Sequence, residues 1–319
     1  MCGEFKVSRT GVIMKKRYLS IVIIISFFNA LFAHTPFKIV GLVPARNEEL
    51  LIGSCLKALS LFTDAIIFLD DASQDNTLSI VESLAKKCNI ERIHAKKIWY
   101  RDEPGDRNLM LKLGREVGGT HFIVIDADEM FTASLFHNNH LRNAILQLNP
   151  GDQMIFHWIR LWKDINHCRT DGLLKEFIFC DDGICFYESS FIHTPRVPAN
   201  LIQGKLIHMK PYFKYGLLHF QAVNWDNMAL RQAWYHCIMK IRRSELTDAQ
   251  INRACLAQDH EESYKVIECP SIWFDGYSFF DASLYQLPDM WRRRQILEWF
   301  DQYGKPFFAG LNIWHIDWH

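Results

Sequence analysis

What the sequence lacks narrows its reading before any motif does. Its 36 Lys and Arg are cancelled by 36 Asp and Glu, so net charge is absent. The basic excess of a dedicated nucleic-acid binder is missing with it. The nine cysteines are odd in number and contain no Cys-x-x-Cys pair, which excludes a zinc knuckle and a fully paired disulfide framework. Such usage suits a reducing compartment. No Gly-x-Gly-x-x-Gly follows the first apolar run, and no Walker loop occurs. Internal repeats and low-complexity linkers are also absent. With 23% charged and 13% aromatic residues, the chain is not a disordered, solvating polymer. Its 319 residues are enough to bury a core without a metal or disulfide staple.

The first charge asymmetry lies at the amino end. Lys6, Arg9, Lys15, Lys16 and Arg17 stand against the single acid Glu4, and Tyr18–Ala33 follows with no charge at all. A basic segment before an apolar run of this length reads as a signal-anchor, a cleaved secretory signal, or a buried or interfacial segment. Leu31 sits where a cleavage signature wants a small residue, and Met14 is an alternative start directly before the basic cluster. Residues 1–35 are therefore expected to meet a membrane, with the active site on its cytoplasmic side or, alternatively, lumenal or secreted. The cysteines pull against secretion.

From Lys38 the chain alternates apolar runs with amphipathic stretches. Lys38–Val43 reads as a strand buried on both faces. Ile52, Cys55, Leu56, Leu59 and Phe62 then share one helical face. Strands are expected at Ala65–Leu69, Arg92–Ala95 and His121–Ile125. Helices are expected after Asp75 and Asn76 as caps, and over Asn108–Val117, closed by Gly118 and Gly119. Strand–helix alternation with short links predicts an α/β fold with a mostly parallel sheet flanked by helices. Residues 36–223 would form this unit. Residues 224–319, with seven of the ten tryptophans, would form a helical, aromatic-rich C-terminal extension.

Polar clusters follow the first, second and fourth strands, where open α/β sheets bind ligands. Asp126 and Asp128 point the same way from an extended backbone and, with Glu129, place three carboxylates in four positions. Such a group suits Mg2+ or Mn2+, with phosphate oxygens completing the shell. Asp71 can accept hydrogen bonds from a base or ribose, and Arg46 and Asn47 add donors after the first strand.

The stretches VPARNEE, FLDDASQDNT and IVIDADEMF, in this order and spacing, resemble the inverting family 2 glycosyltransferases of the GT-A fold. The resemblance is strong over about residues 38–135. It is weaker through HTPRVP (His193–Pro198) and LLHFQAVNWDNMALRQAWY (Leu217–Tyr235). It implies a nucleotide-sugar donor such as a UDP-sugar, Mn2+ or Mg2+, a glycan or lipid-linked acceptor, and single-displacement transfer of a hexose to a hydroxyl.

Residue by residue, it implies that Pro44, Arg46, Asn47 and Glu48 contact the nucleotide and that Asp71 holds the nucleoside. Asp128 would be the direct metal ligand, and Asp126 would hold ribose or metal. Arg107 would balance diphosphate charge. His219 is the first candidate for a late metal ligand and His208 the second. An inverting transferase also needs a carboxylate base. Glu188 is favoured because it leads into HTPRVP, with Asp181, Asp182 and Asp171 as the other candidates. The alternative function is a non-catalytic nucleotide- or glycan-binding protein on the same sheet. Trp291-Arg292-Arg293-Arg294 reads as a solvated helix face.

Overall fold

A computed structural model of the chain describes residues 37–136, 139–169, 172–189, 194–212, 214–255, 265–288 and 290–318. The first half follows the expected alternation. Strand β1 (Ile39–Ala45), helix α1 (Ile52–Leu59), β2 (Ala65–Asp70), α2 (Thr77–Leu84), β3 (Ile90–Ala95), α3 (Glu103–Glu116) and β4 (His121–Val124) succeed one another. Ile39, Val40, Leu42 and Val43 are fully buried or nearly so. Each such side chain stabilises the fold by about 1.5–3 kcal/mol, which is why this run stays inside the sheet.

Local chemistry sets the ends of these elements. Asp75 accepts the amide of Thr77 at 2.9 Å, so the expected cap is the residue before Asn76. Helix α3 begins five residues earlier than Asn108, because Asp102 caps the amide of Gly105 at 3.1 Å and Pro104 suits the first turn. Gly118, at φ +85°, ends it in the left-handed conformation.

After β4 come β5 (Glu129–Phe131), α4 (His140–Ile145), β6 (Gln153–Arg160), β7 (His167–Arg169), β8 (Leu174–Cys180), β9 (Leu206–His208) and β10 (Gly216–His219). The main sheet runs β3-β2-β1-β4-β8-β6-β10-β5, with β9 on β6. Pairs among β3, β2, β1 and β4 are parallel, as are those of β6 with β9 and β10, while β8 is antiparallel to both of its neighbours. The order reverses between β1 and β4. Their carboxyl ends therefore open a crevice at the switch point of the sheet.

The C-terminal part carries α5 (Trp225–Arg242), α6 (Asp248–Cys255) and α7 (Met290–Tyr303). Asn224 caps α5 through the amide of Asn227. Trp234, Ile238, Ile296, Trp299, Phe300, Phe308 and Trp318 form its own apolar cluster. One strand interrupts the helices: β11 (Val266–Glu268) pairs with β7. Lys38–His319 is one compact unit. Among the described residues no helix is long and apolar enough to cross a membrane. The apolar stretch Tyr18–Ala33 lies outside them. Every described cysteine is a free thiol.

Candidate active site

The loops after β1, β2 and β4 meet in a cavity of about 260 Å³ whose lining includes Pro44, Arg46, Glu48, Asp71, Arg107, Asp126 and Asp128. Seven of the expected residues are thus brought together. The loops are locked to one another by backbone contacts. Arg46 Nη1 donates to the carbonyls of Asp71 and Ala72, both at 2.7 Å. Asn47 accepts the Gln74 amide at 2.6 Å and gives its own amide to Ser73. Asn47 (φ 53°) and Ala72 (φ 57°) are both left-handed, a cost for residues with a Cβ that is common at binding loops. Asn47 itself lines an adjoining cavity rather than this one.

Four aromatic or cationic groups shape the side of the cavity nearest Asp71. The Arg46 guanidinium lies 4.7 Å from the Trp99 ring centre and 5.6 Å from that of Trp291. Lys96 bridges Asp71 at 2.7 Å and Asp106 at 2.8 Å. Burial, opposed by Lys96, pushes the Asp106 carboxyl up to about 6.

At the rim, the carboxylates are matched by arginines from distant segments. Arg196 Nη2 lies 2.5 Å from Asp126 Oδ2 and 3.0 Å from Glu129 Oε1. Arg107 Nη2 is 3.5 Å from Asp126. Arg231 on α5 donates to Asp128 Oδ2 at 2.7 Å, and it lies 3.7 Å from Glu48, which Arg292 on α7 approaches to 3.6 Å. Burial would raise the Asp128 carboxyl, yet His219 and Arg231 hold it well below the usual carboxylate range. Arg196 and Arg107 lower the Asp126 carboxyl too, against the effect of burial. Glu129 is raised by burial, and it accepts the Trp158 indole N–H at 2.9 Å and the Asp126 amide at 2.8 Å.

Several donors in and beside this cavity lack an acceptor. Arg46 Nε, Asn47 Nδ2 and two nitrogens of Arg107, Nε and Nη1, are buried with no hydrogen-bond partner among the described residues. Buried N–H groups left unpaired cost about 1–3 kcal/mol each, more when charged, so a ligand rich in acceptor oxygens is the fitting complement.

His219 ends β10 with Nε2 at 3.5 Å from Asp128 Oδ2, its ring stacked on Trp158 at 4.5 Å. Carboxylate oxygens plus one imidazole nitrogen suit Mn2+ or Mg2+. The Asp128–His219 spacing is compatible with two ligands of one ion, although Arg231 shares the same oxygen. The tight three-ligand group among the described residues lies elsewhere, at Asp181, Asp182 and Cys185. There Asp181 pairs with Arg115 at 2.7 Å, and Asp182 accepts the amides of Ile184, Cys185 and Ile202. These contacts also account for the two as structural acids rather than bases.

Three expectations are corrected. Glu188 is exposed and lines neither this cavity nor the larger one beyond the rim. The reason is local: Tyr187 is fixed inward by paired hydrogen bonds with Asn108 and by its hydroxyl to the Arg196 carbonyl, so the next side chain turns outward. His208 is exposed and bonds the Tyr212 hydroxyl at 2.9 Å, away from the carboxylates. Arg292 is buried, not solvated, because it shares a helical stripe with Ile296 and Trp299. Asp171 and His193 lie outside the described residues.

Beyond Asp126 and Asp128 lies a second cavity, of about 960 Å³, lined among others by Trp158, Lys175, Glu176, Arg196, His219 and Tyr235. Arg196, Arg231, Lys175 and Glu176 had no role assigned from sequence. The usable signal was a cation inside an apolar helical stripe for Arg231, between Met228 and Trp234.

Comparison with known proteins gives one family match: residues 42–138 fit the model described as glycosyl transferase family 2. No curated protein matches the chain. Among solved structures, Staphylococcus aureus TarS 1–349 in complex with UDP is similar at 14% identity, over 86% of this chain and 83% of that one, with a TM-score of 0.37. The mannosyltransferase PcManGT from Pyrobaculum calidifontis, in complex with GDP-Man and Mn2+, is similar at 15% identity over 86% and 79%, with a TM-score of 0.39. Glucosyl-3-phosphoglycerate synthase from Mycobacterium tuberculosis, with Mn2+ and UDP-glucose, matches at 22% identity over 39% and 44%, with a TM-score of 0.27.

Proposed function

Because residues 42–138 are a glycosyl transferase family 2 domain, we propose that the chain moves a sugar from a nucleoside-diphosphate donor to an acceptor hydroxyl with inversion. The observation that carries this reading is the buried Arg107 guanidinium, with two unpaired nitrogens beside Asp126 and Asp128 in one cavity. A diphosphate supplies the acceptor oxygens those donors need. Asp71 and the loop Pro44–Glu48 bind the nucleoside, and Lys96 holds Asp71 in place.

Asp128, Asp126 and His219 would hold Mn2+ or Mg2+, which would supply neutralisation of charge on the leaving diphosphate. Arg107 and Arg231 add fixed positive charge where negative charge develops, without reorganising during the reaction. Glu176, which lines the acceptor-side cavity where Glu188 does not, takes the proton of the attacking hydroxyl. The basic and apolar N-terminal segment would bring the site to a membrane and to a lipid-linked or glycan acceptor on its cytoplasmic face.

The test is turnover of UDP- and GDP-sugars with Mn2+, with EDTA, and with Asp128→Ala. Undiminished transfer after chelation and in the variant would remove the metal role. A second reading, a nucleotide-binding chain that transfers nothing, is favoured by the Arg231–Asp128 pair, which competes with a cation for one oxygen. It predicts UDP binding in calorimetry with no sugar released from any donor.

A further inference from the structure

Strand β8 is antiparallel to β4 and pairs with it only through Ile178, Phe179 and Cys180. Leu174–Phe177 therefore run on past the end of β4, beside the backbone that carries Asp126 and Asp128. Lys175, three residues before Ile178, lies within electrostatic reach of Asp126 and Glu129. On its other side Lys175 pairs with Phe156 of β6, and its ammonium sits 3.4 Å from the Trp158 ring centre. Trp158 is itself fixed by stacking on His219 and by its bond to Glu129.

The cations lining the larger cavity are Arg107, Lys175, Arg196 and Arg231. Arg107 has Glu103 and Asp126, Arg196 has Asp126 and Glu129, and Arg231 has Asp128. Lys175 has no carboxylate partner among the described residues, only the face of Trp158. Yet it is half-buried, and burial and the charge of Arg196 disfavour the ammonium, while Glu129 and Asp126, which already serve Arg196, offset this only in part. It lines the larger cavity and not the smaller one, although the two share Arg107, Asp126, Asp128 and Arg231, so the acceptor side is where an anion would reach it directly.

We propose that the larger cavity takes an anionic acceptor, one with a phosphate or carboxylate near the hydroxyl that receives the sugar, and that Lys175 binds this group. The inference rests on the transferase reading above. An ammonium at the rim would orient the acceptor with its hydroxyl toward Glu176 and the donor, as a binding and positioning role distinct from proton transfer. A lysine that merely caps Trp158 would show no preference for charged ligands.

Calorimetric titration of the full chain with glycerol 3-phosphate, glycerate and glycerol, each with and without UDP and Mn2+, tests this. One or both anions bind while glycerol does not, and their ratio tells phosphate from carboxylate. Lys175→Met weakens the anion at least about tenfold, Lys175→Arg restores most of it, and UDP affinity stays unchanged in both. The proposal is overturned if neither anion binds, if Lys175→Met binds them like the unaltered chain, or if it loses UDP in equal measure. Failure to bind UDP sinks the transferase reading instead, and the titrations without nucleotide still decide the anion site.

Discussion

Arg231 donates from Nη1 to Oδ2 of Asp128 at 2.7 Å across 103 positions of sequence, and both side chains are largely buried. The contact ties helix α5 to the acid rim of the sheet. The same guanidinium reaches toward Glu48 in the loop after β1, so one side chain links three segments of the crevice.

Removing one partner of such a pair leaves an uncompensated buried charge, which costs about 3–5 kcal/mol. Arg231→Met is expected to lower stability by that order. Combined with Asp128→Asn it should cost less than the two single changes added together. A double-mutant cycle by urea denaturation should return a coupling of at least about 1.5 kcal/mol. Additive single effects would mean the pair is solvent-screened.

Asp106 predicts a pH dependence of stability. Its folded value of about 6 stands above the ordinary 3.8, through burial against the pull of Lys96. Between these values the folded chain keeps a proton that the unfolded chain has released. The contribution is therefore fully present below about pH 4 and is lost as pH rises to 6. Asp106→Asn removes the titration. Its stability relative to the unaltered chain should climb by up to about 3 kcal/mol across that window and then stay level. A difference that does not change with pH would contradict the assignment.

The indole N–H of Trp158 satisfies Glu129, whose carboxylate also takes Arg196 and the Asp126 amide. Trp158→Phe keeps an aromatic face for His219 and Lys175 but deletes that donor. The expected loss is about 1–3 kcal/mol in thermal or denaturant unfolding. Trp158→Phe with Glu129→Gln should recover little, because Glu129 retains Arg196 as a charged partner.

Gly204 approaches the neighbouring chain so closely that a Cβ there would lie 2.3 Å from the Gly151 carbonyl carbon and 2.5 Å from the Asp152 nitrogen. Both obstacles are backbone and cannot rotate away. Gly204→Ala should therefore destabilise by about 1–3 kcal/mol, read as a lowered denaturation midpoint. Ala at Gly172, where nothing lies within 4 Å, meets only the φ of +64° and should cost less.

The half of the site built from loops after β1, β2 and β4 was legible because each loop directly follows a continuous apolar run. That pattern put Arg46, Asp71, Asp126 and Asp128 on one rim, and the family resemblance added Pro44 and the individual roles. The other half was not legible, since it arrives by long-range pairing. Lys175 and Glu176 belong to an antiparallel strand inserted beside β4, and no local periodicity announces which strand will be the neighbour. Arg231 and Arg292 are charges on amphipathic helices whose buried side is set by partners far along the chain. Arg292 stands in a run of three arginines, and only the spacing to Ile296 and Trp299 shows which one turns inward.

The placement of the carboxylates also separates two candidate bases. Glu188 follows the buried Tyr187 and faces solvent, whereas Glu176 lines the cavity shared with Asp128 and His219. A general base contributes about 10²–10⁴ in rate, so Glu176→Gln should reduce kcat by a factor in that range. UDP affinity should be retained, because Glu176 does not line the cavity of Arg46, Asp71 and Arg107 proposed for the nucleotide. Glu188→Gln is an exposed substitution and should leave turnover within about a factor of two. Transfer kinetics on the two variants, with UDP binding measured alongside, distinguish the assignments. A larger loss in Glu188→Gln than in Glu176→Gln would return the base assignment to Glu188. Equal, small losses would move the base to the rim acids themselves.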